Sequence, residues 1–507
     1  MKNLKRLCLA CLALASFAAA AALAQSPTAT TPAIAPQSAT SPGVAAPSVP
    51  PSSSSAAAPT SAGSAPVASV AASKPGPTAA PQAPATDGTP APLTQPVAAR
   101  PEPGPSIVLA PSQPDDVRES TAVDGAAPAT SLDAAKQARL DFATTGSTSI
   151  GGYAELHYNL EHVTGPGERQ ATIDMHRLVL FVAHGFTDKL SFYSEIEVEH
   201  ALVAPDGEGE VEIEQAYLDY RLLDDALGLR AGVLLVPMGI INSWHEPPSF
   251  HGVERPTVDR VIIPSTWREG GIGVFGEPVE GVRYQLYLVG GLDPTGFSAD
   301  EGIRGGRQEV AEAAANGLAM TGRVEVEPML GLVAGLAGYF GLAGPNAKLY
   351  DLAGERHSVD VPVWGISADA HGHYQGFEAR AVAALFGVGD TELLRQAADA
   401  DGKSLGLDIG AQSWGAYAEI AYDVLHLAKL EHALLPFVRV ERYDTMATIN
   451  GRPETPADRP FGATELALGA TYKPVPAVAF KADFVLKSPD GPTRSQGRFD
   501  LGLGLMF

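Results

Sequence analysis

From about residue 147 to residue 507, apolar and polar residues alternate one for one in segments of roughly ten residues. In 478–487, Val478, Phe480, Ala482, Phe484 and Leu486 share one face, and Lys481, Asp483 and Lys487 the other. In 414–424, Trp414, Ala416, Ala418, Ile420 and Tyr422 share one face, and Tyr417, Glu419 and Asp423 the other. Successive side chains of a strand point to opposite sides, so a period of two predicts strands. Ten residues is also the length of a strand tilted across a bilayer. The pattern predicts strands near 150–160, 173–184, 190–200, 211–222, 227–236, 269–277, 282–291, 318–327, 330–341, 360–371, 374–386, 412–424, 434–443, 463–473, 476–487 and 498–507, about sixteen in all. Short connections at 185–189, 223–226, 278–281, 328–329, 372–373, 425–433 and 474–475 alternate with long ones, including 161–172, 237–268, 292–317, 387–411 and 444–462. Short turns on one side and long loops on the other are the asymmetry of a bacterial membrane barrel. No run of eighteen apolar residues occurs in this part, so no membrane helix is predicted there.

The polar face is charged at mid-strand, at Glu195 and Glu197, Arg323 and Glu325, Glu378 and Arg380, Glu419, Arg439 and Glu441, and Lys481 and Asp483. A wet lumen accommodates such charges and a packed core does not. The solvated outer face of a soluble β-sandwich would accept them as well. Tyrosines and tryptophans near strand ends fit aromatic girdles, which favours the barrel. The sequence stops on Phe507, with Leu505, Leu503, Leu501 and Phe499 on the same face. That pattern resembles the signal read by the barrel-assembly machinery. The expected fold is all-β, a transmembrane antiparallel β-barrel wide enough for an aqueous channel.

The N-terminal part has another character. Lys2, Lys5 and Arg6 precede an apolar run from Leu7 to Leu23, and Ala22-Leu23-Ala24 supplies a small-residue cleavage site. Residues 1–24 therefore read as a signal peptide. An uncleaved helix and a lipoprotein built on Cys11 are the competing readings. Cleavage after Ala24 would remove Cys8 and Cys11, the only two cysteines, and leave no thiol chemistry. Half of the 42 prolines lie from Pro27 to Pro114, and no aromatic residue occurs between Phe17 and Phe142. Residues 25–130 are therefore expected to be a disordered Pro/Ala/Ser/Thr-rich periplasmic tether, too poor in apolar surface to offset its ordering entropy. Residues 131–146 are expected to be a short helix or linker, with Ser131 as N-cap. The remaining residues, 147–507, are expected to form the barrel domain.

The longest connection, 237–268, reads PMGIINSWHEPPSFHGVERPTVDRVIIPSTWR. It is the third long loop, too long for a bare turn. Its candidate constriction residues are His245, Glu246, His251, Glu254, Arg255, Asp259, Arg260 and Arg268. The competing reading is a surface loop or a contact between protomers. The run Val236-Pro237-Met238-Gly239, then Glu254-Arg255-Pro256, then Pro264-Ser265-Thr266-Trp267-Arg268 resembles the phosphate-selective porin O and P family of bacterial outer-membrane porins. Ile303-Arg304-Gly305-Gly306-Arg307-Gln308 is similar to porin-like relatives. The resemblance covers about 150–507. It implies a sixteen-stranded homotrimeric channel in the outer membrane of a Gram-negative bacterium, with the third loop folded inward. Phosphate-selective members use lysines in that loop. This loop has none, and its arginines are interleaved with acids, so a mixed constriction is expected.

No G-x-S-x-G elbow or H-E-x-x-H motif occurs, and His371-Gly372-His373 falls at a predicted turn. No catalytic residue, metal or cofactor is expected. The leading functional expectation is passive diffusion of small hydrophilic solutes or ions. A structural anchor reaching peptidoglycan through the tether and a barrel enzyme are the alternatives. Outer-membrane lipid and the assembly machinery are the other expected partners, and no nucleic acid is expected at a formal net charge of −23.

Overall fold

The computed structural model describes residues 145–507, except 166, 205–206, 208, 352–355, 399–404, 450–460 and 492–493. The expected signal peptide, the tether and nearly all of 131–146 lie outside the described residues. The described strands are β1 (Thr148–Thr164), β2 (Gln170–Gly185), β3 (Leu190–Glu199), β4 (Val211–Leu223), β5 (Leu227–Leu235), β6 (Arg268–Val279), β7 (Val282–Gly290), β8 (Leu318–Met329), β9 (Leu332–Asp351), β10 (Arg356–Tyr374), β11 (Phe377–Val388), β12 (Ala397–Ala398), β13 (Gln412–Tyr422), β14 (Ala433–Thr448), β15 (Gly462–Val475), β16 (Val478–Pro489) and β17 (Gln496–Met506).

Apart from the two-residue β12, which pairs with the end of β9, these are sixteen staves of one closed antiparallel barrel. Each stave pairs with its neighbours in sequence, and β1 pairs with both β2 and β17. Closure removes the exposed strand edges that an open sheet would leave.

The staves run further than side-chain alternation predicts. Thr164 ends β1 and Gln170 begins β2, so the long connection expected at 161–172 shrinks to 165–169. Likewise β9 continues to Asp351, β10 starts at Arg356 and β14 continues to Thr448. Ladder pairs such as Arg356 with Tyr350 and Ser358 with Lys348 hold the extra length. Backbone hydrogen bonding sustains these extensions, and apolar alternation does not report it.

The two faces separate sharply. Ile272, Leu286, Leu336, Phe480 and Leu501 are exposed on the outside, whereas Glu195, Asp369, Arg439 and Asp500 are buried on the inside. One irregularity changes the phase. Glu195 pairs with Gln215 and Ile196 with Ile213, leaving Glu214 as the extra residue of a β-bulge. Glu214 and Gln215 are consequently both buried.

An apolar core lies inside the barrel rather than a lumen lined by charges alone. Met238, Ile240, Val258, Ile262 and Trp267 of the connection 236–267 pack with the wall residues Tyr287, Tyr339, Phe386 and Tyr417.

Candidate channel constriction

The connection between β5 and β6 carries too many large apolar side chains to lie in water, and burying them pulls it inward. Gly239 and Gly252 take positive φ values of 72° and 84° at its bends. A short 3₁₀ turn at Pro247–Ser249 and one turn of π-helix at Val258–Ile262 supply its local order.

An irregular chain inside a barrel carries backbone groups that its own segment does not satisfy. The inward charges of the wall satisfy several of them. Arg177 donates to the carbonyl of His245 at 3.2 Å, Arg380 to that of Ser249 at 3.2 Å, Arg439 to that of His251 at 3.2 Å and Lys473 to that of Pro248 at 2.9 Å. In the opposite sense, Asp483 accepts from the N–H of Val253 at 2.6 Å and Glu441 from that of Val258 at 3.1 Å. Charge-assisted bonds of this kind are stronger than neutral ones. Glycines on the wall provide the seat. A Cβ on Gly504 would stand 2.4 Å from the Cβ of Pro247, and one on Gly415 would stand 2.9 Å from Ile262.

The loop's exit is clamped by the connection 291–317, where the Ile303–Gln308 motif lies. Arg307 donates to the carbonyl of Ser265 at 2.8 Å and Arg304 to its hydroxyl at 3.2 Å. Gln308 donates to the carbonyl of Gly291 at 2.6 Å.

The sequence-predicted constriction residues separate into two sets. His245, Glu246, His251 and Asp259 are buried against the wall. His251 Nε2 lies 3.2 Å from Glu378. Burial pushes the Asp259 carboxyl up to about 7, with the charges of Glu441 and Asp369 adding to the shift and Tyr417 and Arg439 opposing it. Arg268 belongs to β6, is buried and pairs with Glu212 and with Glu309. The more open set is Glu254, Arg255 and Arg260. The Glu254 side chain is 32 % exposed and accepts a bond from Asn159 at 2.9 Å. The Arg260 side chain is 51 % exposed and lies 3.3 Å from Glu301.

The wall charges named from sequence pair with one another as well as with the loop. Arg323 donates to both oxygens of Asp369 at 2.7 Å. Arg380 lies 3.1 Å and Arg439 3.2 Å from Glu419, and Arg439 donates to Glu441 at 2.8 Å. Glu325 lies 3.1 Å from Arg323. Lys481 and Asp483 are buried, as are Glu195 and Glu197. A purely wet lumen does not account for these charges, because the inward loop covers them. Sequence reading missed Arg177, Glu214, Asp369, Lys473 and Glu465, all of which are buried. Strand alternation could have found Arg177 and Asp369. Alternation with the exposed Val211 and Ile213 could also have found Glu214, whereas no local pattern reveals the bulge that buries Gln215 beside it.

The pairing of β17 with β1 places Phe499, Leu501, Leu503, Leu505 and Phe507 on the side away from Gly502 and Gly504, which face the loop.

No known family profile matches the chain. Among solved structures it is similar to an anion-selective porin from Comamonas acidovorans, at 12 % identity and TM-score 0.46 over 71 % of this chain and 99 % of that one. It is also similar to the Salmonella typhi OmpF complex with daunomycin, at 11 % identity and TM-score 0.46 over 71 % and 97 % of the two chains. A third is the outer-membrane channel DcaP of Acinetobacter baumannii, at 14 % identity and TM-score 0.43 over 71 % and 97 %. In sequence, the chain is 36 % identical over 344 residues to an uncharacterized protein of Aquifex aeolicus (strain VF5), covering 66 % of this chain and 75 % of that protein. At that identity across three quarters of its relative, the chain belongs to the family of the Aquifex aeolicus protein.

Proposed function

We propose that the barrel is an outer-membrane porin, a water-filled channel for passive diffusion of small hydrophilic solutes or ions, narrowed by the loop 236–267. The observation that carries this reading is the inside-out distribution of residues. Apolar side chains such as Phe480 and Leu501 are exposed on the outer face, while charged groups turn inward around a loop that the wall itself holds. A lipid-facing exterior and polar interior are what a bilayer demands of a spanning barrel. In this reading Glu254, Arg255 and Arg260 meet the solute, and the buried Arg380, Arg439 and Asp483 serve to hold the loop. Cation and anion then alternate along the narrow part, which favours small polar solutes with modest charge preference. A phosphate filter would need convergent cations without adjacent acids, so the likeness of the loop to phosphate-selective porins does not extend to that selectivity.

The proposal places the barrel in the outer membrane of a Gram-negative bacterium as a homotrimer, inserted by the barrel-assembly machinery, with the N-terminal segment in the periplasm. The role is transport without catalysis. Single-channel recording in planar bilayers tests it. Stepwise ohmic conductance is expected, and removing most of 242–262 is expected to raise it. A correctly inserted barrel that conducts nothing in either form would overturn the channel reading. An unchanged conductance after the deletion would overturn the constriction assignment.

A further inference from the structure

Where the inward loop leaves its first turn, three side chains from three elements converge. Glu195 of β3, Glu214 of β4 and His245 of the loop each offer one ligand atom, and those atoms lie within 4.8 Å of one another. All three residues are 0 % exposed. His245 Nε2 lies 3.0 Å from Glu214 Oε1 and 3.8 Å from Glu195 Oε2. Two donors that each stand about 2.1 Å from one ion are separated by about 3 to 4 Å.

Three features point past an ordinary ion pair. The carbonyl oxygen of Asn242 lies 3.4 Å from His245 Nδ1. An oxygen acceptor there holds the Nδ1 proton and aims Nε2 at the carboxylates, the arrangement that orients ligating histidines. Glu214 is fully buried, and beyond the 3.0 Å approach of His245 Nε2 to its Oε1 it meets no donor, its Oε2 having none at all. A buried carboxylate without donors is costly unless a cation meets it. Finally, the hydroxyl of Tyr193 donates to Glu195 Oε1 at 2.6 Å, holding that carboxylate so that Oε2 faces His245.

The surrounding charge has the matching sign. Glu155 and Glu197 flank the cluster, Arg177 pairs with both, and Arg255 is in electrostatic range. Four carboxylates against two guanidinium groups and the His157 imidazole, which pairs with Glu155, leave the surroundings acidic.

We propose that Glu195, Glu214 and His245 form a binding site for a divalent transition-metal cation, which bolts the inward loop to the β3–β4 wall. One imidazole and two carboxylates suit zinc, manganese or ferrous iron, whereas calcium and magnesium favour all-oxygen sites. Alternation with the outward Val211 and Ile213 turns the second carboxylate, Glu214, inward, and the bulge sets Gln215 on the same side.

The test uses full-length protein without a histidine tag, extracted in detergent, stripped with chelator, equilibrated with Zn²⁺ and freed of loose metal by gel filtration. Plasma mass spectrometry is expected to find about one zinc per chain. Glu214→Gln and His245→Ala are expected to fall to background, and Glu195→Gln to bind at least about tenfold more weakly. Glu197→Gln is expected to retain zinc. Circular dichroism checks that each variant keeps its barrel. If a variant fails to fold, Co²⁺ in the unsubstituted chain supplies an independent readout, because a ligand field of one nitrogen with oxygen donors supports the site. An unsubstituted chain that retains no zinc, or variants that retain as much as it does, would overturn the proposal. Metal content is read without any current, so its failure is distinct from failure of the channel reading.

Discussion

The ammonium of Lys481 lies 3.6 Å from the centre of the Phe250 ring, so a wall cation seats on the face of an aromatic at the inner bend of the loop. Both residues are buried. A desolvated cation–π contact contributes about 2 kcal/mol, and emptying a buried phenylalanine site costs about 3–5 kcal/mol. Phe250→Ala is therefore expected to unseat the loop. Lys481→Met, which keeps the stem and loses the charge, is expected to weaken the seat less. Trypsin cleavage after the exposed Arg260 measures both, and the larger increase should belong to Phe250→Ala.

Gly504 tests the seat from the other side. A side chain there meets the Cβ of Pro247 at 2.4 Å, whereas the neighbouring Leu503 points away from the loop. Overpacking of this kind costs about 1–3 kcal/mol. Gly504→Val is expected to displace the loop and raise single-channel conductance, while Leu503→Val leaves it within error. Equal conductance in the two variants would mean that Pro247 does not rest on β17.

Asp259 gives the loop a pH dependence. Burial pushes its carboxyl up to about 7 from an ordinary 3.8. The seated loop therefore holds a proton that a released loop gives up. The associated stability is fully present below about pH 4 and is lost as pH rises through about 7. Hydrogen exchange of the loop amides, corrected for intrinsic rates, is expected to grow faster between pH 5 and 8 in the unsubstituted chain than in Asp259→Asn. Parallel profiles would assign the effect to other groups.

Accessibility separates the open charges from the structural ones. Glu254→Cys is expected to react with a small charged thiol reagent and to reduce current, because its side chain is 32 % exposed. Phe480→Cys lies on the lipid face, and its modification is expected to leave the current unchanged. A chain with its own Cys8 and Cys11 unaltered supplies the background. A current block at position 480 would place that strand in the opposite register, since a slip of one residue exchanges the faces.

Neutralising Arg255 and Arg260 together is expected to move the reversal potential toward cation selectivity. Arg268→Gln is expected to leave the potential alone and to lower thermal stability, because Arg268 is buried and pairs with Glu212 and Glu309. A shift caused by Arg268→Gln alone would place it at the pore surface after all.

What the sequence determines here is local. A period of two needs only neighbouring residues, so it was enough to set Phe480 and Ile420 against Lys481 and Glu419, and to count sixteen staves. It could not report that Arg439, Arg380 and Asp483 hold a loop. The bond from Val253 to Asp483 joins residues 230 apart in sequence, and the bond from Arg439 to His251 joins residues 188 apart. Composition suggested wet charges, but only the folded path of 236–267 shows which of them are covered. Glu214 is the sharpest case. It reads as one more alternating acid of β4, but only the path of the loop sets His245 beside it, and only the pairing with β3 makes the bulge that buries Gln215 next to it. Burial, pairing and bulges are properties of the closed barrel, because they depend on which distant strand and which irregular loop come to lie alongside.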